Sequence, residues 1–431
     1  MAYSVVILVG GETTGTRFRP LSINTPKTLF PIASKSLISR IIDKLMSHLH
    51  HSISQVFLLG FFKDSAVFEN YSHKLAGKYP TVVFEYLSEA NSKGTAGGLY
   101  QYRDKILTPE SEGLIFVHGD VFCNYPFEMM FDQHIQQRSG VMVLGVNPLL
   151  IPDFFRKYLN IQADDPVASE KNSILSCFGT IISKKASDSV MHYVEKPSSE
   201  FCVQFDSEYD VLINGGIYMF SKDVILNLLE VAHIRKETEE VTGKGDNISL
   251  EMDILRWLPH QTYSFDVFKH QDYWYNLKTP LSALLANSAF SRNSNGWNDE
   301  ADQLDLEYTN PYVTIGKNAT IGRNVKIGNG VKIENAIIGD NVIIGDNSYV
   351  TNAIIDSSVV IGPWCRIEGS INNSTIWNDI KHSHSAGNIQ NIHNLVVLCE
   401  NTHVSEGVFV FNSIVLPHKE LSCDIKYEIV M

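Results

Sequence analysis

The chain has 431 residues, 44% apolar and 19% charged, which is enough for two or three folded domains with a sizeable core. A formal charge of −13 excludes a nucleic-acid backbone as partner, because counterion release needs clustered Lys and Arg. The six cysteines (Cys123, Cys177, Cys202, Cys365, Cys399, Cys423) form no Cys-x-x-Cys pair, and no apolar run approaches the roughly 18 residues of a membrane span. We therefore expect a cytoplasmic chain with reduced thiols and no membrane partner.

Residues 4–9 (SVVILV) form a continuous apolar, β-branched run, the pattern of a strand buried on both faces. The run is too short for a signal h-region and follows no basic stretch. Similar runs recur at Val56–Leu59, Thr81–Tyr86, Leu114–His118 and Val141–Val146. Helical spacing separates them, as in Leu37–Leu49 with Ile38, Ile41, Ile42 and Leu45. This alternation predicts an α/β domain over residues 1–290 with a mixed, mostly parallel sheet. Ligands on such sheets bind beyond the carboxyl ends of the strands, so motifs in those turns carry weight.

Residues 291–310 turn polar and acidic and read as a linker. From 311 to 431 the rhythm changes. Ile315, Ile321, Ile327 and Ile333 stand six apart, the first three each followed by glycine. Ile338 and Ile344 continue after a one-residue slip, and Ile355, Ile361 and Ile367 after a second. This step predicts a left-handed parallel β-helix of hexapeptide repeats, with each aliphatic pointing inward and the following glycine at a tight corner. Residues 369–394 lack the step, which resumes at Leu398, Val404, Val410 and Leu416. A polar insertion cannot fill the interior of a coil and is expected to be extruded. Its histidines, His382, His384 and His393, have no acidic or cysteine company and suit a solvated loop better than a metal site.

The chemistry-bearing residues sit in the first domain. Gly10 and Gly11 end the first strand, and Gly15-Thr16-Arg17 follow. Side-chain-free backbone approaches phosphate closely, and Arg17 and Arg19 can neutralise phosphoryl oxygens. Lys27, in Pro26-Lys27-x-Leu29, can return to the same pocket as a second phosphate clamp. Taken singly, the same residues would also suit a plain glycine-rich turn and a solvated lysine.

Together, G-G…G-T-R-x-R-P…P-K-x-L resembles the sugar-1-phosphate nucleotidyltransferase superfamily, and within it the mannose-1-phosphate guanylyltransferases. The resemblance implies a Rossmann-like nucleotidyltransferase domain. It continues in order through Lys93-Gly94-Thr95-Ala96-Gly97-Gly98, similar to the nucleotide-contacting loop, and Asp120, similar to the magnesium aspartate. Val194-Glu195-Lys196-Pro197 and Ile213-Asn214-Gly215-Gly216 resemble the two sugar-contacting motifs. The resemblance implies nucleotide contacts at Gly10, Gly11, Gly15, Thr16, Arg17, Gly94, Thr95, Gly97 and Gly98, and sugar contacts at Glu195, Lys196, Asn214 and Gly215.

Two departures matter. The family's W-x-D-x-G-x-P reads Trp274-Tyr275-Asn276-Leu277-Lys278-Thr279-Pro280, with asparagine in place of the second magnesium carboxylate. Three residues, Glu12, Thr13 and Thr14, separate Gly11 from Gly15 where active relatives have one. A displacement of about 1 Å costs a factor on the order of 100 in rate, so both changes argue for weakened catalysis and weakly held Mg2+. The expected role is a regulatory subunit that binds GDP-mannose and modulates a catalytic beta paralogue, with self-association of the coils. The alternatives are an active guanylyltransferase using GTP and mannose 1-phosphate, and a hexapeptide acyltransferase, for which His403 and His418 would have to serve as base.

Overall fold

A computed structural model describes residues 2–11, 16–150, 174–198, 208–239, 247–292, 311–316, 318–372 and 394–431. Glu12 to Gly15, the 161–173 stretch, residues 293–310 and residues 373–393 lie outside them. The described residues fall into two compact units, one within 1–15, 38–151 and 165–274, the other within 16–37 and 275–431.

The strands of the first unit, in chain order, are β1 (Tyr3–Gly11), β2 (Ile53–Phe61), β3 (Val83–Ser88), β4 (Gly113–His118), β5 (Val141–Val146), β6 (Gly179–Lys184), β7 (Val190–Glu195), β8 (Tyr209–Ser221) and β9 (Phe265–His270). They form one sheet of mixed direction. β1 lies parallel between β2 and β4, and β3 continues parallel beyond β2. Val5, Val6 and Ile7 are fully buried, which is why this strand is apolar on both faces. Past β4 the direction alternates, with β8 antiparallel to β4, β6 antiparallel to β8 and β7 antiparallel to β6. β5 also pairs antiparallel with β8 and carries β9 parallel at its side.

The first-unit helices are α1 (Leu37–Leu49), α2 (Ala66–Lys78), α3 (Gly94–Gln101), α4 (Phe127–Gln137) and α5 (Lys222–Glu239). In α1 the spaced residues Ile38, Ile41, Ile42 and Leu45 are all fully buried, as the helical spacing predicts. The Gly-Thr-Ala-Gly stretch, expected as a loop, is the first turn of α3.

The second unit is a coil of short parallel strands. Rungs stack 17 residues apart, so that Lys332–Glu334 pairs with Tyr349–Thr351 and Tyr349–Thr351 with Arg366–Glu368. Ile321, Ile333, Ile338, Ile344, Ile355, Ile361 and Ile367 line its core. Across the insertion, Ala353–Ile355 pairs with Val396–Leu398, 43 positions on and so 26 beyond the 17-residue step. Those 26 residues leave the register of the coil unchanged. After Val410 the inward residue is Val415 and not Leu416, since a one-residue slip shortens the step there. The corner at Asn412, with φ 43°, accommodates the shortening.

The corners also correct the expected role of glycine. The left-handed positions belong mainly to asparagine, among them Asn324, Asn335, Asn341, Asn347 and Asn352 with φ of 57°, 45°, 60°, 58° and 49°. The glycines after isoleucine serve close stacking instead. A Cβ on Gly322 would lie 2.6 Å from the backbone of Gly339, and one on Gly339 2.8 Å from the backbone of Asp356.

The last helix, α6 (Pro280–Arg292), belongs to this unit. Thr279 Oγ1 accepts from the Ser282 amide at 3.1 Å and Pro280 fills the first helical position, an ordinary N-terminal signal. The segment 16–37 is the other addition, with Phe18, Leu21, Phe30 and Ile32 buried.

Candidate functional site

In the first unit, the predicted nucleotide and sugar residues are built by strand ends. β1 terminates in Gly10, at φ 79°, and Gly11, where a Cβ would collide with the Phe61 ring. Only glycine fits at this strand end. Gly94 enters α3 at φ 80°, and a Cβ on Gly98 would stand 2.7 Å from Glu89 Oε1. The first turn of α3 therefore rests directly on a buried carboxyl group. Burial pushes Glu89 up to about 7, with the nearby Lys93 partly offsetting that cost.

Thr95 is committed to structure. Its hydroxyl donates to Glu251 Oε2 at 2.6 Å and accepts from the Leu250 amide at 2.7 Å. Its side chain thus fixes the α3 turn. Ala96 N donates to Ile248 O at 2.9 Å, fastening the same turn again.

The sugar-motif residues form one network. The Tyr193 hydroxyl donates to Glu195 Oε2 at 2.9 Å, and Asn214 Nδ2 donates to Tyr218 at 2.8 Å and to Tyr193 at 3.2 Å. Asn214 Oδ1 accepts from Gly216 N at 3.1 Å, so all faces of the amide are oriented. The Trp274 indole donates to Gly215 O at 2.9 Å. Lys196 takes a left-handed φ of 48° and ties its amide to Phe178 O at 3.2 Å. Burial holds the Tyr193 and Tyr218 hydroxyls well above their ordinary range, so both act as neutral hydrogen-bonding groups.

Asp120, half-buried, follows the end of β4 and lies close enough to Tyr218 to raise its hydroxyl further. His118, two residues earlier, packs its ring 5.7 Å from that of Tyr218 and brings Nε2 within 3.7 Å of Glu251 Oε1. Glu251 thus links the α3 turn, the β4 end and the tyrosine network.

In the second unit, Thr16–Phe18 and Lys27–Leu29 are single turns, with Arg17 exposed and Lys27 half-buried. Gly15 lies outside the described residues. Asn276 carries its carbonyl oxygen buried and without a hydrogen-bond partner among the described residues. Lys278 and Thr279 direct their amides to Ser282 Oγ at 3.0 and 2.9 Å, which sets Asn276 just ahead of α6.

The nucleotidyl transferase family matches residues 4–149, and the GMPPB C-terminal domain matches residues 309–430. The "Probable mannose-1-phosphate guanyltransferase" of Schizosaccharomyces pombe is 30% identical to the chain, each covered over 100% of its length. The chain belongs to the mannose-1-phosphate guanylyltransferase family. Two further relatives, at 31% and 30% identity over 99% of each chain, carry the name mannose-1-phosphate guanylyltransferase regulatory subunit alpha, with the suffix A in Danio rerio and none in Rattus norvegicus.

Of the residues in these networks, motif reading passed over Glu251, Tyr193 and His118, while Tyr218 closes the motif Ile213-Asn214-Gly215-Gly216-Ile217-Tyr218. The signal for Glu251 is the N-cap at Ser249, whose Oγ accepts from Met252 N at 3.2 Å while Asp253 Oδ2 accepts from Ser249 N at 2.8 Å. That pattern announces a helical turn, here a π-turn over Leu250–Leu255. It does not announce what Glu251 meets. As for magnesium, the donor set that the family resemblance assigns is one carboxylate, Asp120, and one neutral carbonyl, Asn276. Each by itself is a hard oxygen of the kind magnesium takes, and Asn276 Oδ1, without a hydrogen-bond partner among the described residues, carries no charge where the family has a carboxylate.

Proposed function

We propose that the chain is a regulatory subunit of GDP-mannose pyrophosphorylase. It binds GDP-mannose and modulates a catalytic beta paralogue in the cytoplasm. The observation that carries this reading is Asn276, a neutral amide where the family uses a carboxylate. Its oxygen is buried without a hydrogen-bond donor among the described residues, and Lys278 adds a positive charge two residues on. The names of several relatives support the regulatory role, and the buried cysteines Cys123, Cys177, Cys365 and Cys399, outside any disulfide among the described residues, suit a reducing compartment. Among the described residues no helix is long and apolar enough to cross a membrane.

In this reading the glycine end of β1 and the α3 turn receive the diphosphate, and the Glu195–Asn214 network receives the sugar hydroxyls; the phosphate-clamp roles of Arg17 and Lys27 follow from the family resemblance. Asp120 would be a magnesium ligand, and magnesium when bound supplies further charge neutralisation to the phosphates. The preoriented Asn214 amide and the neutral tyrosines favour a sugar over an anion at that end, because they present hydrogen bonds without net charge.

The second reading is an active guanylyltransferase. In it, the phosphate oxygen of mannose 1-phosphate displaces pyrophosphate from the α-phosphorus of GTP by in-line attack, and catalysis rests on positioning and charge neutralisation. The retained Asp120, Glu195, Asn214 and α3 turn favour it. Pyrophosphate release by the purified chain with GTP, mannose 1-phosphate and Mg2+ separates the two, run beside Asn276→Asp with residues 13–14 deleted. The expected result is no turnover by wild type with GDP-mannose still bound. Turnover of about 1–1000 per second would establish the catalytic reading instead.

A further inference from the structure

Within the second unit two runs of hydrogen bonds, joined through the backbone at Asn287–Ser288, lead from the hairpin after the clamp segment to the root of the insertion. Lys27 is followed by a hairpin, Pro31–Ile32 against Lys35–Ser36, whose turn residues Ala33 and Ser34 take φ of 47° and 67°. The Ala33 amide donates to Asn287 Oδ1 at 2.9 Å, across 254 residues of sequence. Asn287 lies on α6 and is fully buried. Its Oδ1 also accepts from Thr320 Oγ1 at 2.9 Å, and its Nδ2 donates to Asn318 O at 3.1 Å. A buried amide so completely satisfied holds its three partners in one arrangement.

The adjacent residue, Ser288, is buried as well and donates from Oγ to Asn335 Oδ1. Asn335 Nδ2 donates to Asn352 Oδ1 at 2.6 Å, and Asn352 Nδ2 donates to Gly369 O at 2.7 Å. Gly369 opens the 369–394 insertion. Next to it, Ser370 N donates to Asn412 Oδ1 at 2.8 Å and Ser370 Oγ accepts from Asn412 Nδ2 at 2.7 Å. From Asn335 to Gly369 both bonds point the same way, so each polarises the next, and Ser288 joins the run when its one hydroxyl proton is turned to Asn335 instead of Leu284 O at 3.1 Å. The register of the coil accounts for the asparagines at its left-handed corners, since glycine would serve there equally well. Asn324 Nδ2 likewise reaches Asn341 Oδ1, one rung on, at 3.3 Å, and the column from Asn335 differs in spanning two rungs and ending on the insertion.

We propose that Asn287 is a positioning residue and that this column passes the state of the Arg17–Lys27 clamp segment to the base of the insertion. The proposal rests on the reading of the chain as a GDP-mannose sensor. It adds how occupancy of the ligand site reaches the part of the coil where a partner would respond. A hydrogen-bonded column of oriented amides couples its ends only if breaking it midway uncouples them, and that is testable.

The test is amide hydrogen exchange on the full chain, followed in peptides covering 28–37 and 366–372. In wild type, saturating GDP-mannose slows exchange in both. In Asn352→Gly, which removes the amide and keeps the left-handed corner at φ 49°, protection persists at 28–37 and its ligand-dependent part disappears at 366–372. Without ligand, Asn287→Ala raises exchange at 366–372 by at least about fivefold although Asn287 touches nothing there. If Asn287→Ala does not fold, Asn335→Gly carries the same arm, with exchange rising in both peptides. Peptide 366–372 responding to ligand equally in wild type and Asn352→Gly overturns the proposal, as does its indifference to both ligand-free variants. A wild-type chain that binds no GDP-mannose defeats the sensor reading, and the ligand-free arm then decides the column by itself.

Discussion

At the scale of single residues, two carboxyl groups missed by motif reading govern the nucleotide turn. Glu89 lies beneath Gly98 with its Oε1 buried and without a hydrogen bond among the described residues. Its value rises from 4.5 to about 7 on folding, so the folded state binds the extra proton between those limits. Stability therefore falls as pH rises from about 4.5 to 7 and is level above that range. Glu89→Gln removes this slope. Thermal melts should show the variant gaining on wild type by about 1–3 kcal/mol at pH 8, with the gain gone at pH 4. Glu251 acts on the opposite side of the turn. Glu251→Gln leaves the Ser249 cap in place, and we expect GDP-mannose affinity measured by calorimetry to fall about 5- to 50-fold through the loosened Thr95 contact. The Arg17–Lys27 and glycine motifs were legible in sequence because they are local. Glu251 was not, since its partner Thr95 stands 156 residues away.

At the scale of elements, the coil was almost fully legible because a six-residue step has no other physical source. The exception, Val415 for Leu416, arises where two aliphatics are adjacent and either can satisfy the step. Glycine was read as a corner residue, whereas its use is to let one rung lie on the next. Substitutions separate the two roles. Gly339→Ala forces a Cβ against the Asp356 backbone and should cost about 1–3 kcal/mol in urea unfolding. Asn341→Gly, at φ 60°, should shift the midpoint by only a few tenths of a kcal/mol. Equal losses in the two variants would mean that the Asn341 amide matters more than its backbone. The α/β sheet was legible in its parallel half, where apolar runs mark β1, β2, β3 and β4, and the run at β5 was legible too although that strand pairs antiparallel with β8. β8 escaped notice because its polar Asn214 and paired glycines interrupt a single 13-residue strand.

At the scale of the whole molecule, the chain visits the second unit early, over 16–37, and returns to it after residue 274. The clamp segment is secured by partners far along the sequence, Ala33 to Asn287 and Asn24 to Glu400 at 2.9 Å. Contacts of such long range form late, because the loop must close before they contribute. Refolding followed by exchange labelling should therefore protect β1 and α1 before the 28–37 hairpin, and simultaneous protection would refute this order. Deleting residues 370–395 restores the regular 17-residue rung. The melting temperature is then expected to stay within about 5 °C of wild type, and on the regulatory reading modulation of a catalytic paralogue is lost.

The uninterrupted register across the insertion has an engineering consequence. Gly369 and Val396 leave and rejoin the coil within one rung, since the strands before and after the insertion both pair with 349–355, and they take successive positions there, about 3.8 Å apart. The coil fixes the two ends of whatever spans that gap. The coil thus offers a socket for any small folded module whose termini lie side by side. A reporter fused there would be held by rigid backbone at both ends, and exchanging its sequence would ask nothing of the rungs above and below.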